Sequence, residues 1–417
     1  MSNQNLPAPQ LARGMKLIGH SDIGGHRDGI QIMVHQGYAY IGHIFSRGFS
    51  IVDVRDPRAP KSVGYVPAPI NTWNVHLQVA DGLLLVINGK DVFADPAFAD
   101  ERSYYQAAAG TALGTAAGTQ KRDWTGGMAV YDLADPAKPR RIGFMEVPGS
   151  IHRIWYVGGR WAYMSALLEG FNDFIFITVD MSDPANPKPV GRYWLPGMNT
   201  AAGETPTWPA NRKYGLHHAI ISGDVAYGAW RDAGLVIMDV ADKAEPKLIV
   251  HRNWAPPFGG GTHNALPIPE RDLLIVLDES VLDHQEDGEK LIWVFDIRDV
   301  TNPVSIATFP SPTDADYAAL GGHFGPHNLH ENRPGSYVSQ NLIFTTYQNA
   351  GVRVFDISNA YQPKEVAALV PAAPTALMDP RQNRSLVIQS ADLFVDAQGL
   401  VYVTDYNAGL SILEYTG

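Results

Sequence analysis

The sequence contains no cysteine among its 417 residues. Disulfide bonds, thiolate nucleophiles, and zinc or iron–sulfur sites with cysteine ligands are therefore excluded together. Charge is also scarce: 18% of the residues are charged, the formal net charge is −11, and lysine and arginine form no run. An acidic chain without a basic run is a poor partner for a phosphate backbone, so we expect no nucleic-acid ligand.

Long hydrophobic runs are absent as well. The longest apolar segments, such as residues 83–87 and 273–277, have the length of a β-strand, whereas a membrane helix needs roughly 18–20 apolar residues. The first 14 residues lack the basic and then apolar segments of a signal peptide. We expect a soluble protein with no membrane partner, cytoplasmic as written and periplasmic where a signal has been removed.

Two kinds of catalytic motif are missing. No Gly-x-Ser-x-Gly segment offers a serine nucleophile, and no Gly-x-Gly-x-x-Gly segment between a strand and a helix offers a nicotinamide or flavin site. Acid–base chemistry and metal-assisted oxidation remain.

Turn-forming residues are abundant, with 40 glycines and 30 prolines spread along the chain. One pattern recurs six times: a hydrophobic strand ends in Asp, an Asp or Asn follows three residues later, and Pro follows seven residues after the first Asp. The first residues of the six copies are Asp53, Asp132, Asp180, Asp239, Asp296 and Asp356. Residues 410–414 repeat the lead-in once more. Seven repeats of roughly 58 residues therefore fill the chain.

Each repeat has the pattern of four short strands. The Asp and Pro residues suit the turn before the fourth strand, which begins Lys-x-(Val/Ile)-Gly in several repeats. The same signature stands alone at residues 16–19, while the last repeat lacks its fourth strand. We predict an all-β fold over residues 1–417, a single seven-bladed β-propeller of four-stranded blades. The N-terminal strand is expected to pair with the C-terminal blade and close the ring.

The strand sequences resemble those of a known family. Phe49–Asp53, Leu235–Asp239 and Val352–Asp356 read FSIVD, LVIMD and VRVFD, which is similar to the LVIVD-repeat proteins. The resemblance covers nearly the whole chain. It implies a propeller and no particular activity.

Histidine recurs at the entry to the innermost strand of five consecutive blades. The residues are His76, His152, His217 with His218, His263 and His327. A chain with 14 histidines in 417 residues would rarely place five of them in equivalent positions by chance. We therefore expect a functional ring of histidines around the central channel.

A ring of neutral imidazoles has two chemical interpretations. In the first, His152, His218, His263 and His327 bind a divalent Fe, Zn, Mn or Cu ion. That arrangement is similar to the carotenoid-cleaving oxygenases, propellers whose iron is held by histidines, and loosely to the selenium-binding proteins. Candidate carboxylates to orient the ligands are Glu169, Asp173, Glu204, Asp278 and Glu279.

In the second interpretation the histidines act without metal as acids and bases. The candidate catalytic residues are then His76, His152, His218, His263, His327, Arg153, Arg231 and Tyr347. The candidate substrate-binding residues are Trp73, Trp230, Tyr406, Arg27 and His217. Trp230, Tyr347 and Tyr406 lie in aromatic–x–(Asp/Asn)–Ala–Gly segments or close variants of them, which are also typical of a hairpin turn with a packed aromatic ring.

Three insertions interrupt the repeats on the histidine face, at about residues 90–125, 198–214 and 279–290. Insertions on one face of a repeat protein usually mark its binding side, so we expect them to form a lid. The alternative for the Ala/Gly-rich residues 107–118 is a mobile loop or an oligomer contact.

The sequence therefore predicts an enzyme that acts on a small, aromatic molecule at the channel mouth. The favoured reaction is lyase or isomerase chemistry, such as elimination or the opening of a cyclic ether. A histidine-ligated, metal-dependent oxygenase or oxidase is the first alternative, and a non-catalytic interaction propeller is the second.

Overall fold

The computed structural model describes residues 6–98, 101–106 and 123–417. Antiparallel β-sheets dominate these residues and form seven blades in a ring. The predicted seven-bladed propeller is confirmed. None of the described helices is both long and apolar enough to span a membrane.

The strands follow one another in the order of the repeats. Two N-terminal strands precede the blades: β1 Leu11–Arg13 and β2 Met15–Ser21. The first four blades contain these strands: blade one, β3 Ile32–His35, β4 Tyr38–Gly42, β5 Phe49–Asp53 and β6 Lys61–Val66; blade two, β7 Thr72–Trp73, β8 Leu77–Ala80, β9 Leu83–Lys90, β10 Gly127–Asp132 and β11 Arg140–Glu146; blade three, β12 Ser150–Trp155, β13 Trp161–Leu167, β14 Ile175–Asp180 and β15 Lys188–Tyr193; blade four, β16 His218–Ser222, β17 Val225–Ala229, β18 Leu235–Asp239 and β19 Lys247–Arg252. The last three blades contain these strands: blade five, β20 Thr262–Ile268, β21 Leu273–Asp278, β22 Ile292–Asp296 and β23 Val304–Thr308; blade six, β24 Leu342–Thr346, β25 Val352–Asp356 and β26 Lys364–Val370; blade seven, β27 Ser390–Val395, β28 Leu400–Asp405 and β29 Gly409–Tyr415. Among the described residues, helix α1 (Glu101–Gln106) is the single α-helix, and it lies in the insertion between β9 and β10.

The N-terminal strands close the ring in two places. Strand β2 pairs with β29 and supplies the missing outer strand of blade seven, as predicted. Strand β1 pairs with β26 and adds an outer strand to blade six, which the sequence did not predict. The innermost part of blade six is irregular: residues 327–330 reach β24 through a bridge at Leu329 and through backbone hydrogen bonds.

The Lys-x-(Val/Ile)-Gly signature encodes a β-bulge in the outer strand. In blade three, Thr178 pairs with Gly191 and Val179 with Pro189, so Val190 is the extra residue. The glycine is needed because the next blade lies against it. A side chain at Gly191 would put Cβ 2.2 Å from the carbonyl oxygen of Lys243 in the Asp-to-Pro turn of blade four.

The same contact recurs around the ring. A Cβ atom at Gly143 would lie 2.5 Å from the carbonyl oxygen of Pro184 in blade three, and one at Gly19 would lie 1.9 Å from that of Pro57 in blade one. Buried apolar side chains fill the remaining space between sheets, as where Leu235 and Ile237 of β18 pack with Leu274 of β21. The recurrent turn and glycine thus set the spacing of the blades.

We expect removal of residues 1–21, which contain β1 and β2, to destabilise the whole ring. The deletion exposes two sheet edges and loses the buried Met15, Leu17 and Ile18. At about 1.5–3 kcal/mol for each buried side chain, the loss is on the order of 5 kcal/mol. Chemical denaturation and light scattering should show a less stable, aggregating protein, whereas removal of residues 1–5 should change neither. Unchanged stability of the longer deletion would contradict closure by β2.

Candidate functional site

A cavity lies at one end of the central channel. Two kinds of segment line it: the entries to innermost strands, and the connections between second and third strands. Its apolar and aromatic lining residues are Ile30, Ile44, Phe45, Trp73, Val75, Phe93, Tyr104, Tyr105 and Tyr406. Its polar and charged lining residues are Glu101, His152, Arg153, His217, Arg231, His263, Glu279, His323, His327 and Arg381.

Four histidines from four consecutive blades stand side by side along one wall. Their ring centroids are separated by 4.6 Å from His152 to His217, 3.6 Å from His217 to His263, and 4.8 Å from His263 to His327. We call these four residues the histidine arc. The arc forms because each residue stands at the same point of its own repeat.

The structure corrects the predicted set of histidines. His218 was placed among the catalytic and metal-binding residues, but it follows His217 directly in an extended segment, so the two side chains point in opposite directions. His218 faces the channel below the cavity, where its Nε2 lies 2.8 Å from Glu331. His76 is also absent from the cavity lining, and its Nδ1 accepts a hydrogen bond from the Ile154 amide.

Three other predicted site residues lie elsewhere. Trp230 and Tyr347 are buried in the hydrophobic core, and the amides of both close their own hairpins by donating to Gly234 and Gly351. The hairpin interpretation of these segments is therefore the correct one. Arg27 is not part of the cavity lining. Trp73, Arg153, Arg231 and Tyr406 do line the cavity, together with the four residues of the arc.

The hydrogen bonds of three arc residues fix which ring nitrogen carries the proton. Nδ1 of His217 lies 2.8 Å from the carbonyl oxygen of His263, and Nδ1 of His327 lies 2.5 Å from that of Ala391. A carbonyl oxygen only accepts, so both Nδ1 atoms donate and the lone pair of each neutral ring is on Nε2. Nδ1 of His263 faces the side-chain oxygen of Asn264, and its Nε2 accepts from Arg153.

Glu279 lies at the point toward which these Nε2 atoms converge. It is the first residue after β21, and its amide bonds to the Gly261 carbonyl. One carboxylate oxygen, Oε1, lies 3.3 Å from Nε2 of His327. The other, Oε2, forms an ion pair with Arg231 and lies 3.5 Å from Nε2 of His263.

The buried charges determine which of these groups are ionised. Burial opposes ionisation of Glu279, but His263 and Arg231 outweigh it and hold the pKa of Glu279 well below its usual range. Burial, reinforced by Arg231 and Arg153, lowers the pKa of His152 well below its usual range, and burial with His263 does the same to the pKa of His217. At neutral pH, His152 and His217 are therefore neutral and Glu279 is anionic.

His152 differs from its neighbours in the arc. Its Nε2 atom is buried and has no hydrogen-bond partner among the described residues. A buried polar atom without a partner usually marks a place where a ligand or water belongs.

Below the arc, the channel holds a second layer of charge. Arg153 donates to Asn328, while Arg333 and His218 both contact Glu331. Burial raises the pKa of Asp392 to about 7. This layer separates the cavity from the opposite end of the channel and fixes the position of Arg153.

Helix α1 covers the cavity and is held there by an ionic cluster. Glu101 at its start contacts Nε2 of His323 at 2.6 Å, Arg381 at 2.9 Å and Arg384 at 2.6 Å. Asp283 lies 3.5 Å from the same nitrogen of His323. We call these five residues the latch; none of them was predicted from the sequence as a site residue.

All three insertions contribute to the covered mouth. The second supplies Lys213, whose ammonium lies 3.8 Å from the ring centroid of Tyr104 in α1. The third supplies Asp283 of the latch and Glu286, which pairs with Arg102 at the outer surface of α1. Residues 107–118 of the first insertion lie outside the described residues.

Two parts of the chain match the model of a known protein family. The LVIVD-repeat family model matches residues 26–67 and 219–252, which correspond to blades one and four. The chain is a propeller that carries LVIVD repeats in these two blades. No curated protein matches it significantly.

Solved structures similar to this LVIVD-repeat propeller share little sequence with it. A hypothetical selenium-binding protein from Sulfolobus tokodaii is 14% identical, with a TM-score of 0.56 over 96% of this chain and 94% of that one. The β-propeller domain of Cps50 (Swd1) from Myceliophteria thermophila is 10% identical, with a TM-score of 0.56 over 97% and 100%. A protein described as a candidate 6-phosphogluconolactonase from Bacteroides uniformis is 10% identical, with a TM-score of 0.52 over 80% and 83%. These likenesses show the fold alone.

We expect Glu101→Gln to release α1 from the cavity. The substitution removes one carboxylate from His323, Arg381 and Arg384, which keep only Asp283 and Asp379, and breaking a buried pair costs about 3–5 kcal/mol. Hydrogen exchange of residues 101–106 should accelerate by at least tenfold while the blades stay protected. Glu286→Gln is the matched control, because Arg102 and Glu286 are 50% and 52% exposed and such a surface pair contributes at most about 1 kcal/mol. Equal effects of the two substitutions would contradict the latch.

The latch should also weaken as the pH rises. Burial lowers the pKa of His323, but Glu101 and Asp283 outweigh burial and the nearby Arg384, so its pKa lies above the ordinary 6.5. A raised pKa stabilises the folded form fully below pH 6.5, and this contribution is lost as the pH passes the folded-state pKa. Exchange of α1, corrected for the intrinsic rate, should therefore be faster at pH 9 than at pH 6. His323→Gln should abolish that difference; if it persists, another group controls the latch.

Proposed function

We propose that this propeller is an enzyme that acts on a small, aromatic molecule by acid–base elimination or isomerisation. One observation carries the proposal: four histidines and two arginines line one wall of a covered cavity whose other walls are aromatic and apolar. Such a cavity, mostly apolar with a few convergent polar groups, is typical of a small-molecule site.

His152 is the proposed general base. Its Nε2 is buried without a partner among the described residues, and its lowered pKa keeps the ring unprotonated at neutral pH. An unprotonated nitrogen in contact with bound substrate can remove a proton from carbon or oxygen.

Arg153 and Arg231 are the proposed stabilisers of negative charge. Arg153 is held by Asn328, and Arg231 by its ion pair with Glu279. Fixed cationic donors of this kind stabilise an anion that forms in the transition state, because they need no reorganisation. Elimination and the opening of a cyclic ether both produce such an anion.

The walls of the cavity favour an aromatic substrate. Phe45, Trp73, Phe93 and Tyr406 offer ring faces and edges against which a substrate ring can stack. Helix α1 adds Tyr104 and Tyr105 from above and acts as the lid. Closure of the lid would exclude water from the arc and strengthen the charge interactions inside the cavity.

A sugar phosphate, the substrate named for one neighbour in the fold, suits this cavity less well. Phosphate groups need cations that are free to bind them. Here Arg231 is paired with Glu279, and Arg381 is paired with Glu101 and Asp379. A phosphorylated ligand would meet these carboxylates.

We expect turnover to depend on the arc. The wild-type protein is incubated with a panel of one- and two-ring aromatic alcohols, ethers and carbonyl compounds, and products are followed by liquid chromatography with mass detection. His152→Gln should lower kcat by roughly 100-fold or more, the usual contribution of a general base, with KM nearly unchanged.

Phe93→Ala is the complementary variant, since it removes aromatic wall and should raise KM with little change in kcat. His284→Gln, an exposed histidine outside the cavity, is the matched control for loss of an imidazole. Full turnover by His152→Gln would refute its role as base. Absence of turnover by the wild type across the panel, with no binding seen by tryptophan fluorescence, would favour the interaction propeller.

A further inference from the structure

We infer that His217, His263, His327 and Glu279 bind one divalent transition-metal ion. The proposed donors are the three Nε2 atoms and the Glu279 carboxylate. The site stands on its own geometry; its catalytic role, as a Lewis acid that polarises a substrate oxygen beside His152, rests on the proposed function.

The first argument is the orientation of the lone pairs. Nδ1 of each ring is engaged by an oxygen acceptor, from His263, Asn264 and Ala391 respectively. Outer oxygen acceptors of this kind are the usual partners of metal-binding imidazoles, because they fix the tautomer and aim Nε2 at the ion. The Nε2 lone pair of His327 then faces a carboxylate oxygen, which also carries only lone pairs, while Nε2 of His263 lies between the other carboxylate oxygen and the Arg153 guanidinium. A cation between the His327 nitrogen and the carboxylate removes the repulsion.

The distances fit a coordination shell. In a tetrahedral site with bonds of about 2.0–2.1 Å, two ligand atoms lie about 3.3–3.4 Å apart. The separation from His327 Nε2 to Glu279 Oε1 is 3.3 Å, and that from His263 Nε2 to Glu279 Oε2 is 3.5 Å. One ligand atom each of His217, His263 and Glu279 lies within 4.8 Å of the other two. The fourth residue, His327, approaches the same carboxylate through its other oxygen.

The charges are also arranged for an ion. Oε2 of Glu279 is held by Arg231, which leaves Oε1 directed toward His327. The positive charge of the second guanidinium, Arg153, is offset by the nearby carboxylates of Asp392, Glu331 and Glu279. Glu279 is buried, so a cation placed beside its carboxylate is poorly screened by water.

The donor set indicates which ions fit. Three imidazoles and one carboxylate suit Zn²⁺, Fe²⁺, Cu²⁺, Ni²⁺ or Mn²⁺, whereas Mg²⁺ and Ca²⁺ prefer oxygen ligands. The site borders the cavity, so a further position on the ion can face the substrate. His152 stands next to His217 and stays outside the donor set, which keeps it free as the base.

The experiment titrates metal-stripped full-length protein with Co²⁺, followed by visible absorption, and with Zn²⁺, followed by calorimetry. We expect one equivalent per chain and bands of a nitrogen-rich, low-coordination site. His263→Gln and His327→Gln should each weaken affinity by roughly 100-fold or more, since even loss of an outer partner costs about 10–100-fold. Glu279→Gln tests the carboxylate alone, and His284→Gln, an exposed histidine, should bind like the wild type.

Folding of each variant is checked by circular dichroism and thermal melting. Should a variant fail to fold, anomalous scattering from a Zn²⁺-loaded wild-type crystal decides instead: a peak bonded to the three Nε2 atoms supports the site. Absence of stoichiometric binding by the wild type, binding that survives loss of His263 and His327, or a metal peak elsewhere would overturn it. Turnover by a metal-free wild type would overturn the Lewis-acid role while leaving the proposed function intact. Metal binding without any turnover would support the metal site and contradict the proposed function.

Discussion

The close contact of three outer-strand glycines, Gly19, Gly143 and Gly191, with the Asp-to-Pro turn of the next blade is the constraint on which the remaining structure depends. Gly143 and Gly191 lie against backbone carbonyls of the following blade, and Gly19 makes the same contact across the closure of the ring. Because that contact leaves no room for a side chain, the distance between blades is nearly fixed. A fixed distance between seven blades also fixes the width of the channel.

Because the channel has a fixed width, side chains at equivalent positions of different blades lie close together and form one site. A histidine at the entry to an innermost strand faces the axis in whichever blade it stands. Five consecutive blades carry such a histidine, and in four of them the rings of His152, His217, His263 and His327 stand side by side although 46 to 65 residues separate successive members. Glu279 then adds the one carboxylate that lies among their Nε2 atoms.

The repeats made the fold and most of the arc predictable, because both follow from local periodicity. The Lys-x-(Val/Ile)-Gly signature at residues 16–19 was enough to assign β2 to the last blade.

The choice between His217 and His218 was not predictable, since it depends on which of two adjacent side chains points into the cavity. Trp230 and Tyr347 were assigned to the channel mouth because the motif shows only a hairpin and not the direction of its aromatic ring. The latch was missed because Glu101, His323 and Arg381 come from three distant segments, although His323 directly follows a recognisable feature, the glycine pair at the entry to blade six.

Closure by β2 also bears on how the chain reaches its native state. Strand β2 precedes all seven blades in the sequence, yet its partner β29 follows them, so nearly the whole described chain must be spanned before this sheet can form. Loop-closure entropy grows only slowly with length, so the thermodynamic penalty for this long connection is modest. The kinetic consequence is larger, because contacts of such high sequence separation form late. Until then, β26 and β29 both present unpaired edges, and a second molecule in the same partly folded state offers strands of matching sequence to them.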